Sequence, residues 1–350
     1  MSEVVILGAG VMGSAMGMPL ADNGHRVRLV GTHKDSDVIE SVAHNHFHPR
    51  LNIHLPRTIT AHYHHELDRI LNEDVALIVI GVSSPGVTWA AETLGRLRRS
   101  SLPPLLMITK GLSVVDGELQ VLPHVLARHL AEFDLAGTPV AAVAGPCIAG
   151  ELAARRPSSV VFTHADRGVL HWLEDHLRTD YYHIRFNTDV VGVEVCAALK
   201  NLYALAIGFA GGMLDNQPAE NAAGMHNPAA ALFGEAMLEM KYLVNFMGGD
   251  PASADGLPGS GDLYVTCQGG RNSRMGRLLG RGLRFSKAKA EQMPDDTIEG
   301  AQLAQAIAHG LEPLFADGRL DAERLPLMRK VFQTVVHDRP IDLDWTGFHR

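Results

Sequence analysis

The sequence predicts an α/β protein with a doubly wound sheet in its N-terminal half and an all-helical C-terminal domain. Up to about residue 188, short apolar runs alternate with helical patterns, which is typical of successive βαβ units. After Asp189 the segments favour helix, and no convincing strand follows. We therefore expect two domains, at residues 1–188 and 189–350, a division that suits a chain of this length.

The predicted strands are mostly continuous apolar runs rather than clean alternations, which fits a parallel sheet covered on both faces. They are expected at Val4–Leu7, Arg26–Val30, Arg57–Ala61, Val75–Ile80, Leu105–Ile108 and Val140–Ala144, with Ser159–Thr163 and Tyr181–Phe186 as further candidates. Helices are expected at Val11–Asn23, Gly86–Arg98, Glu118–Leu130, Val190–Met213, Pro228–Met247, Ser273–Leu279, Ile298–His309 and Leu325–Val336.

Composition indicates a globular protein without a nucleic-acid partner. Hydrophobic residues make up 46% of the chain, and 31 basic against 39 acidic residues give a net charge of -8. A net negative charge does not indicate the basic surface that a nucleic acid needs. A local cationic pocket for a small anion remains compatible with this net charge. The three cysteines, Cys147, Cys196 and Cys267, are far apart, so no disulfide framework is expected and a reducing, cytoplasmic compartment is the simple interpretation.

The longest apolar stretch, Val190–Leu214, is interrupted by Glu194, Lys200 and Asn201. Placing these polar groups in lipid would cost several kcal/mol on rough insertion scales. The stretch is therefore expected to be a buried core helix rather than a membrane span.

The first predicted strand ends in the glycine-rich run Gly8-Ala9-Gly10-Val11-Met12-Gly13. G-x-G-x-x-G alone is a weak signal, but the preceding strand, the following helix and the next strand supply the context of a Rossmann-type dinucleotide site. Gly8 permits the tight turn, Gly10 lets the backbone approach a pyrophosphate, and Gly13 lets helix and strand pack closely. The helix N-terminus adds amide donors and a favourable dipole. The alternative is a glycine turn that binds no nucleotide.

The end of the second strand favours NADP, or use of both cofactors, over strict NAD selectivity. NAD-selective sites place a carboxylate there, about 20 residues after the glycine motif. This chain has Gly31-Thr32-His33-Lys34, and its first acid is Asp35. His33 or Lys34 could attract a 2′-phosphate, whereas the alternative is that Lys34 lies on a solvated helix start.

Several later segments carry candidate catalytic groups. Lys200-Asn201 lies in the most apolar helix, where desolvation disfavours a charged amine and makes lysine a candidate general acid/base. Lys110 follows a predicted strand at the edge where open α/β sheets bind ligands. Asp262 lies in a flexible glycine turn and could orient a lysine. In Gly269-Gly270-Arg271-Asn272 a guanidinium lies next to glycines, whose backbone N–H groups no side chain covers. A guanidinium with adjacent backbone donors suits a phosphate monoester.

Together and in this order, the segments resemble the NAD(P)-dependent glycerol-3-phosphate dehydrogenase family, from Gly8 to about Leu327. The resemblance rests on the following motifs: Gly8–Gly13, Thr109-Lys110-Gly111, Gly145-Pro146 with Glu151, Lys200-Asn201, Gly261-Asp262-Leu263, Thr266-Cys267, Gly269–Asn272 and Glu299-Gly300. It implies reduction of dihydroxyacetone phosphate with NADH or NADPH, the reverse oxidation at the same site, and a homodimer.

The resemblance also implies roles for individual residues. Lys200 would exchange the proton with the C2 oxygen, Lys110 would polarise that oxygen from across the pocket, and Asp262 would orient the lysines. The substrate and its phosphate would be held by Asn201, Thr266, Arg271 and Asn272. The cofactor would be bound by Gly8, Gly10, Val11, Met12, Gly13, His33, Lys34, Lys110, Ala149, Arg271 and Glu299.

Three alternatives stay open. The segment Leu214–Asn227 is longer than is usual in the family, and Pro228-Ala229-Ala230 brings no basic residue, so a larger or differently oxygenated polyol phosphate is a possible substrate. A β-hydroxyacid dehydrogenase is disfavoured, because those enzymes have Lys-x-x-x-Asn where this chain has Lys200-Asn201. A catalytically silent dinucleotide sensor would not need so many catalytic residue types in one chain.

No functional metal is expected. The chain has 19 histidines, several of which cluster in sequence, but their spacing is not that of a zinc site. They are expected to be solvated loop residues: His44, His46, His48, His54, His62, His64 and His65.

Overall fold

The backbone divides into two units, each with its own core. A computed structural model describes residues 2–216, 224–343 and 345. The first unit comprises the residues up to Lys110 together with Leu122–Val190, and the second comprises Gly111–Val121 together with the residues from Val191 onward.

The strands are, in chain order, β1 (Glu3–Leu7), β2 (Arg26–Gly31), β3 (Phe47–His48), β4 (Ile53–His54), β5 (Ile59–Tyr63), β6 (Val75–Ile80), β7 (Leu105–Met107), β8 (Leu112–Val115), β9 (Glu118–Val121), β10 (Val140–Ala144), β11 (Ser158–Thr163) and β12 (Tyr182–Asn187). The helices are α1 (Val11–Asp22), α2 (Ser36–Asn45), α3 (Leu67–Ile70), α4 (Val87–Gly95), α5 (Leu122–Ala131), α6 (Ala149–Ala153), α7 (Arg167–Leu177), α8 (Val190–Asp215), α9 (His226–Phe246), α10 (Asp262–Cys267), α11 (Arg271–Gly280), α12 (Phe285–Gln292), α13 (Glu299–Ala316) and α14 (Pro326–Val331).

An eight-stranded sheet forms the centre of the first unit, in the order β12-β11-β10-β7-β6-β1-β2-β5. Neighbouring strands run parallel, except that β10 and β11 are antiparallel. From β1 the chain first moves outward through β2 and β5 and then returns to β6 on the other side. This reversal opens a crevice at the carboxyl ends of the strands, and it confirms the predicted doubly wound sheet.

Both faces of this sheet are covered, which explains why its strands read as continuous apolar runs. Consecutive side chains of a strand point to opposite faces. Val4 and Ile6 accordingly pack in one core cluster, and Val5 and Leu7 pack in another. All four side chains are 0% exposed.

The predicted helix at Glu118–Leu130 is wrong over its first four residues. Glu118–Val121 pairs antiparallel with Leu112–Val115 as the hairpin β8–β9, and the helix begins only at Leu122. Asp116 and Gly117 at the hairpin turn both have positive φ, of 53° and 81°. Asp-Gly with two positive φ angles is the preferred chemistry of a two-residue hairpin.

In its described residues the second unit is helical apart from this hairpin, and its core surrounds α8. Cys196, Leu199 and Tyr203 of α8 are 0% exposed. Among the described residues α8 alone is long and apolar enough to cross a membrane, and 78% of its most apolar window is buried inside the protein. The prediction of a buried core helix is therefore confirmed.

Candidate active site

The glycine-rich run between β1 and α1 has the shape that a pyrophosphate needs. Gly8 has a φ of +115°, and a Cβ added there would lie 2.6 Å from the backbone of Gly81. A Cβ at Gly13 would lie 2.3 Å from the Gly8 carbonyl oxygen, whereas a Cβ at Gly10 would meet nothing within 4 Å. Gly8 and Gly13 thus allow close packing, and Gly10 faces open space at the start of α1. These features fit a bound dinucleotide.

The other cofactor positions expected in the first unit follow the ends of its strands. His33 and Lys34 are exposed just beyond β2, and Val11 is 39% exposed at the start of α1, next to the half-buried Met12. Lys110 is half-buried beyond β7, and its carbonyl accepts a hydrogen bond from the Ser84 hydroxyl at 2.9 Å. Ala149, the first residue of α6, is half-buried beyond β10.

His48 corrects the expectation that the histidines are solvated. It is 0% exposed, and burial lowers its pKa below the ordinary value for histidine. The Leu51 amide donates to Nδ1 at 3.1 Å, so Nε2 carries the hydrogen and donates to the Ala9 carbonyl at 3.3 Å. His48 therefore ties the β3–β4 hairpin to the glycine-rich run. No group of three or more potential metal ligands occurs among the described residues.

Lys200 and Asp262 form a nearly buried ion pair in the second unit. Lys200 Nζ donates to Asp262 Oδ1 at 2.6 Å and to Thr266 Oγ1 at 3.2 Å. The side chains of Lys200 and Asp262 are 14% and 1% exposed. Asp262 Oδ2 is buried and has no hydrogen-bond partner among the described residues. The sequence-predicted lysine, carboxylate and threonine are thus brought together from α8 and α10.

A tight bend before α10 gives Asp262 its inward position. Residues Leu257–Gly261 form a turn of π-helix, and a Cβ at Gly259 would lie 2.1 Å from the Ala254 carbonyl oxygen. Only glycine permits this approach of two backbone segments. The Thr266 hydroxyl then donates to the Asp262 carbonyl at 2.6 Å, which leaves its oxygen free to accept from Lys200.

Asn272 connects three helices next to the lysine. Its Nδ2 donates to Asn201 Oδ1 at 2.9 Å, and its Oδ1 accepts from the Gly300 amide at 2.9 Å. Asn272 is 5% exposed. A Cβ at Gly300 would lie 2.3 Å from the Asn201 carbonyl oxygen, so α13 begins against α8 at this point. Asn272 is therefore largely engaged within the protein, and it fixes the orientation of the Asn201 carboxamide.

Arg271 and Glu299 form an ion pair at the starts of α11 and α13. The Arg271 guanidinium donates to Glu299 Oε1, and the two side chains are 48% and 41% exposed. Exposed pairs of this kind contribute only about 0–1 kcal/mol. The guanidinium can therefore be recruited by a bound anion at little cost.

A seam of glycines that was not predicted from the sequence joins α8 to α11. A Cβ at Gly212 would lie 2.0 Å from the Arg277 carbonyl oxygen, and one at Gly276 would lie 2.0 Å from that of Leu205. Gly208 and Gly280 make the same kind of contact. Because the seam brings α11 close to α8, Arg271 and Asn272 at the start of α11 lie near Lys200. The signal was present as two G-x-x-x-G spacings, 208–212 and 276–280, a pattern that lets helices approach closely.

A cavity of about 830 Å³ lies in the second unit; Ile207, Gly211, Met225, Cys267 and Arg271 are among its lining residues, whereas Lys200 and Asp262 are not. Burial raises the pKa of the Cys267 thiol to about 12, so it stays protonated and is unsuited to nucleophilic attack. The expectation that Leu214–Asn227 reshapes the pocket falls partly on residues 217–223, which lie outside the described residues.

Comparison with known proteins accounts for almost the whole chain. The family models described as the N-terminus and the C-terminus of NAD-dependent glycerol-3-phosphate dehydrogenase match residues 3–169 and 189–343. An NADP(+)-dependent glycerol-3-phosphate dehydrogenase from Archaeoglobus fulgidus is 33% identical over 319 residues, or 91% of this chain and 92% of the relative. An NAD(P)+ glycerol-3-phosphate dehydrogenase from Bacillus cereus is 31% identical over 89% of this chain and 86% of its own length.

Solved structures agree with these matches. The glycerol-3-phosphate dehydrogenase of Coxiella burnetii has a TM-score of 0.80 at 28% identity, covering 97% of this chain and 96% of its own. That of Saccharomyces cerevisiae has a TM-score of 0.81 at 21% identity, covering 100% and 99%, and supports the fold. The resemblance inferred from the motifs is confirmed, and the chain belongs to the NAD-dependent glycerol-3-phosphate dehydrogenase family.

Proposed function

We propose that this protein is an NAD(P)-dependent dehydrogenase that interconverts glycerol 3-phosphate and dihydroxyacetone phosphate. The observation that carries the proposal is the hydrogen bond of Lys200 Nζ to the buried Asp262, in the same unit as the cavity that Arg271 lines. A nicotinamide dinucleotide bound at Gly8–Gly13 supplies or accepts the hydride. The residues of the chain have to hold the substrate and move one proton at its C2 oxygen.

Lys200 is proposed as the group that exchanges this proton. A lysine ammonium has three N–H donors, and the contacts to Asp262 and Thr266 use two of them. The third remains for the C2 oxygen. Asp262 and Thr266 hold the amine in one orientation, so that little ordering is needed when the substrate binds. Lys110 is proposed as a second amine that polarises the same oxygen.

Arg271 is proposed to bind the substrate phosphate, with Thr266 and Asn201 as hydrogen-bonding neighbours. A guanidinium can donate two parallel hydrogen bonds to a phosphate monoester. Its present partner, Glu299, is half-exposed and can exchange for a dianion, after which Glu299 would lie near the cofactor. Asn272 acts here through Asn201, whose carboxamide it orients.

We further propose that residues 1–188 bind the cofactor and residues 189–350 bind the substrate, except that the hairpin β8–β9 belongs to the substrate unit. The hairpin packs on α13, where a Cβ at Gly310 would lie 2.6 Å from a methyl carbon of Val114. A cytoplasmic homodimer is proposed for the whole protein, and light scattering during gel filtration would measure the mass of the assembly.

Replacing Lys200 tests the proposal directly. Lys200→Ala should lower kcat by about 10²- to 10⁴-fold, the usual contribution of a general acid/base, and should leave the dissociation constant for NADPH unchanged. Steady-state rates with dihydroxyacetone phosphate and fluorescence titration with NADPH measure the two quantities.

The matched control is Lys241→Ala, which removes a lysine paired with the exposed Asp255 in the same unit. This variant should keep the wild-type rate. A Lys200→Ala enzyme within a few-fold of wild type would show that another group moves the proton.

A further inference from the structure

The Ala9 carbonyl, in the middle of the glycine-rich run, accepts hydrogen bonds from two buried side chains. His48 Nε2 donates to it at 3.3 Å, and the Ser14 hydroxyl donates to it at 3.4 Å. His48 is 0% exposed and Ser14 is 1% exposed. Ser14 belongs to α1, directly after the run, whereas His48 lies 39 positions from Ala9. The direction of this carbonyl therefore depends on a distant segment of the first unit.

A fixed Ala9 carbonyl also fixes the amide that follows it. The Ala9 carbonyl and the Gly10 N–H belong to one planar trans peptide group, in which the two bonds point in opposite directions. The hydrogen bond from His48 therefore turns the Gly10 N–H away from His48. Gly10 is the N-cap of α1, and a Cβ at Gly10 would meet nothing within 4 Å. The backbone at this helix N-terminus is thus open to a ligand, and His48 sets how its first amide is presented.

The His48 ring is itself held in one orientation by its own hairpin. The Leu51 amide donates to Nδ1 at 3.1 Å, which leaves the hydrogen of the neutral ring on Nε2. The Asn52 amide donates to the His48 carbonyl at 2.8 Å and closes the β3–β4 hairpin around the ring. Both ring nitrogens therefore have partners inside the protein, and the donor to Ala9 is in place before any ligand binds.

We propose that His48 is a positioning residue for the pyrophosphate of the cofactor, and that it acts by holding the Ala9–Gly10 peptide group. The inference rests on the proposed dinucleotide site. His48 acts from inside the protein, through the backbone of the run. A loop whose amides are already oriented loses less conformational freedom when an anion binds. Without the His48 donor the Ala9 carbonyl keeps the longer contact to Ser14, and the peptide group can rotate.

Two conservative substitutions of His48 separate its two hydrogen bonds. The side-chain amide of Asn lies at the position of Nδ1, so His48→Asn can still accept from the Leu51 amide but does not reach Ala9. The side-chain amide of Gln lies at the position of Nε2, so His48→Gln can still donate to the Ala9 carbonyl. His48→Asn should weaken binding of ADP-ribose by about three- to tenfold, and His48→Gln should stay within about twofold of wild type.

ADP-ribose contains the pyrophosphate and lacks the nicotinamide, so calorimetry with it measures the site without any turnover. Ser41→Ala is the matched control, because the Ser41 hydroxyl donates to the Phe47 carbonyl at 2.8 Å and supports the same hairpin without contacting Ala9. This variant should bind ADP-ribose as wild type does. Ser14→Ala removes the other donor to the Ala9 carbonyl and should weaken ADP-ribose by about twofold. It tests the same peptide group even if His48→Asn does not fold.

Three results would overturn the inference. The first is equal affinity of His48→Asn and His48→Gln for ADP-ribose, and the second is a loss in Ser41→Ala as large as that in His48→Asn. The third is wild-type affinity in Ser14→Ala together with an unfolded His48→Asn. If wild type itself does not bind ADP-ribose, the proposed dinucleotide site fails as well, so the two failures are distinguishable.

Discussion

At the scale of single residues, the proposed chemistry depends on how one amine is held. Lys200 and Asp262 are buried together, and removing one partner of such a pair leaves the other charge uncompensated. Asp262 has a second role, because its backbone carbonyl fixes the Thr266 hydroxyl that also contacts Lys200. Asp262 thus orients the amine directly through its carboxylate and indirectly through its backbone carbonyl and Thr266.

Asp262→Asn should preserve the shape of this cluster and remove its negative charge. We expect kcat to fall by about 10- to 100-fold, as for other partners that orient a reacting group, with a much smaller change in KM. Steady-state kinetics across pH would separate the two parameters and show whether the acidic limb of the profile moves. Asp255→Asn, at an exposed partner of Lys241, is the control. An unchanged kcat in Asp262→Asn would mean that Lys200 needs no counter-charge.

Arg271→Ala should act on binding rather than on chemistry. Loss of hydrogen bonds to a charged phosphate should raise the KM for dihydroxyacetone phosphate by about 10- to 100-fold, while kcat changes little. The comparison is Arg319→Ala, an exposed arginine paired only with Asp317 in the described part of the chain. A wild-type KM in the Arg271 variant would place the phosphate elsewhere.

At the scale of elements, the proposed substrate residues are brought together by backbone contact between α8 and α11. The seam formed by Gly208, Gly212, Gly276 and Gly280 leaves no room for a Cβ, since each added atom would lie 2.0–2.6 Å from a carbonyl oxygen of the facing helix. Protein interiors do not absorb overlaps of this size without moving backbone. Separation of these helices would displace Arg271 and Asn272 from Lys200 and Asn201.

Gly276→Ala should therefore lower the free energy of unfolding by about 1–3 kcal/mol and raise the KM for substrate. Gly234→Ala is the matched control, because Gly234 lies inside α9 and its added Cβ meets nothing within 4 Å. That substitution should raise stability by up to about 1 kcal/mol through helix propensity. Urea unfolding of both variants measures the difference. Equal effects at the two positions would show that the α8–α11 seam tolerates a methyl group.

At the scale of the whole molecule, one buried carboxyl makes stability depend on pH. Glu239 is 0% exposed and accepts hydrogen bonds from the Tyr203 hydroxyl at 3.0 Å, the Met328 amide at 2.9 Å and the Leu327 amide. It thereby joins α8, α9 and the start of α14. Burial raises the pKa of Glu239 from 4.5 to about 8, even though these donors favour the ionised form.

Between these two pKa values the folded protein holds a proton that the unfolded chain releases. The contribution of Glu239 is therefore fully present below about pH 4.5 and is lost as pH rises towards 8. We expect wild type to lose roughly 1–3 kcal/mol more than Glu239→Gln between pH 5.5 and 8.5. Chemical unfolding at several pH values measures this. Tyr203→Phe removes one donor to the ionised carboxyl and should steepen the loss; parallel curves for wild type and both variants would contradict the assignment.

The sequence by itself determined the doubly wound sheet and the glycine-rich turn, and it supplied the candidate site residues. These features are local. A continuous apolar run predicts a strand covered on both faces, and Gly8–Gly13 predicts a dinucleotide-binding turn because it lies between a strand and a helix. The family resemblance identified Lys200, Asp262 and Arg271 by their order along the chain. The prediction of helix from local pattern was wrong at Glu118–Val121, because this segment pairs with Leu112–Val115 as a strand in spite of its helix propensity.

Only the tertiary structure decided which groups meet. Lys200 and Asp262 are 62 positions apart, and Asn201 and Asn272 are 71 apart, so no local pattern reports their hydrogen bonds. The burial of His48 and the hydrogen bond of Arg50 to the Lys34 carbonyl also depend on packing between distant segments. The physical reason is that a sequence pattern records which face of an element is apolar, whereas contact distances follow from how close two backbones can come.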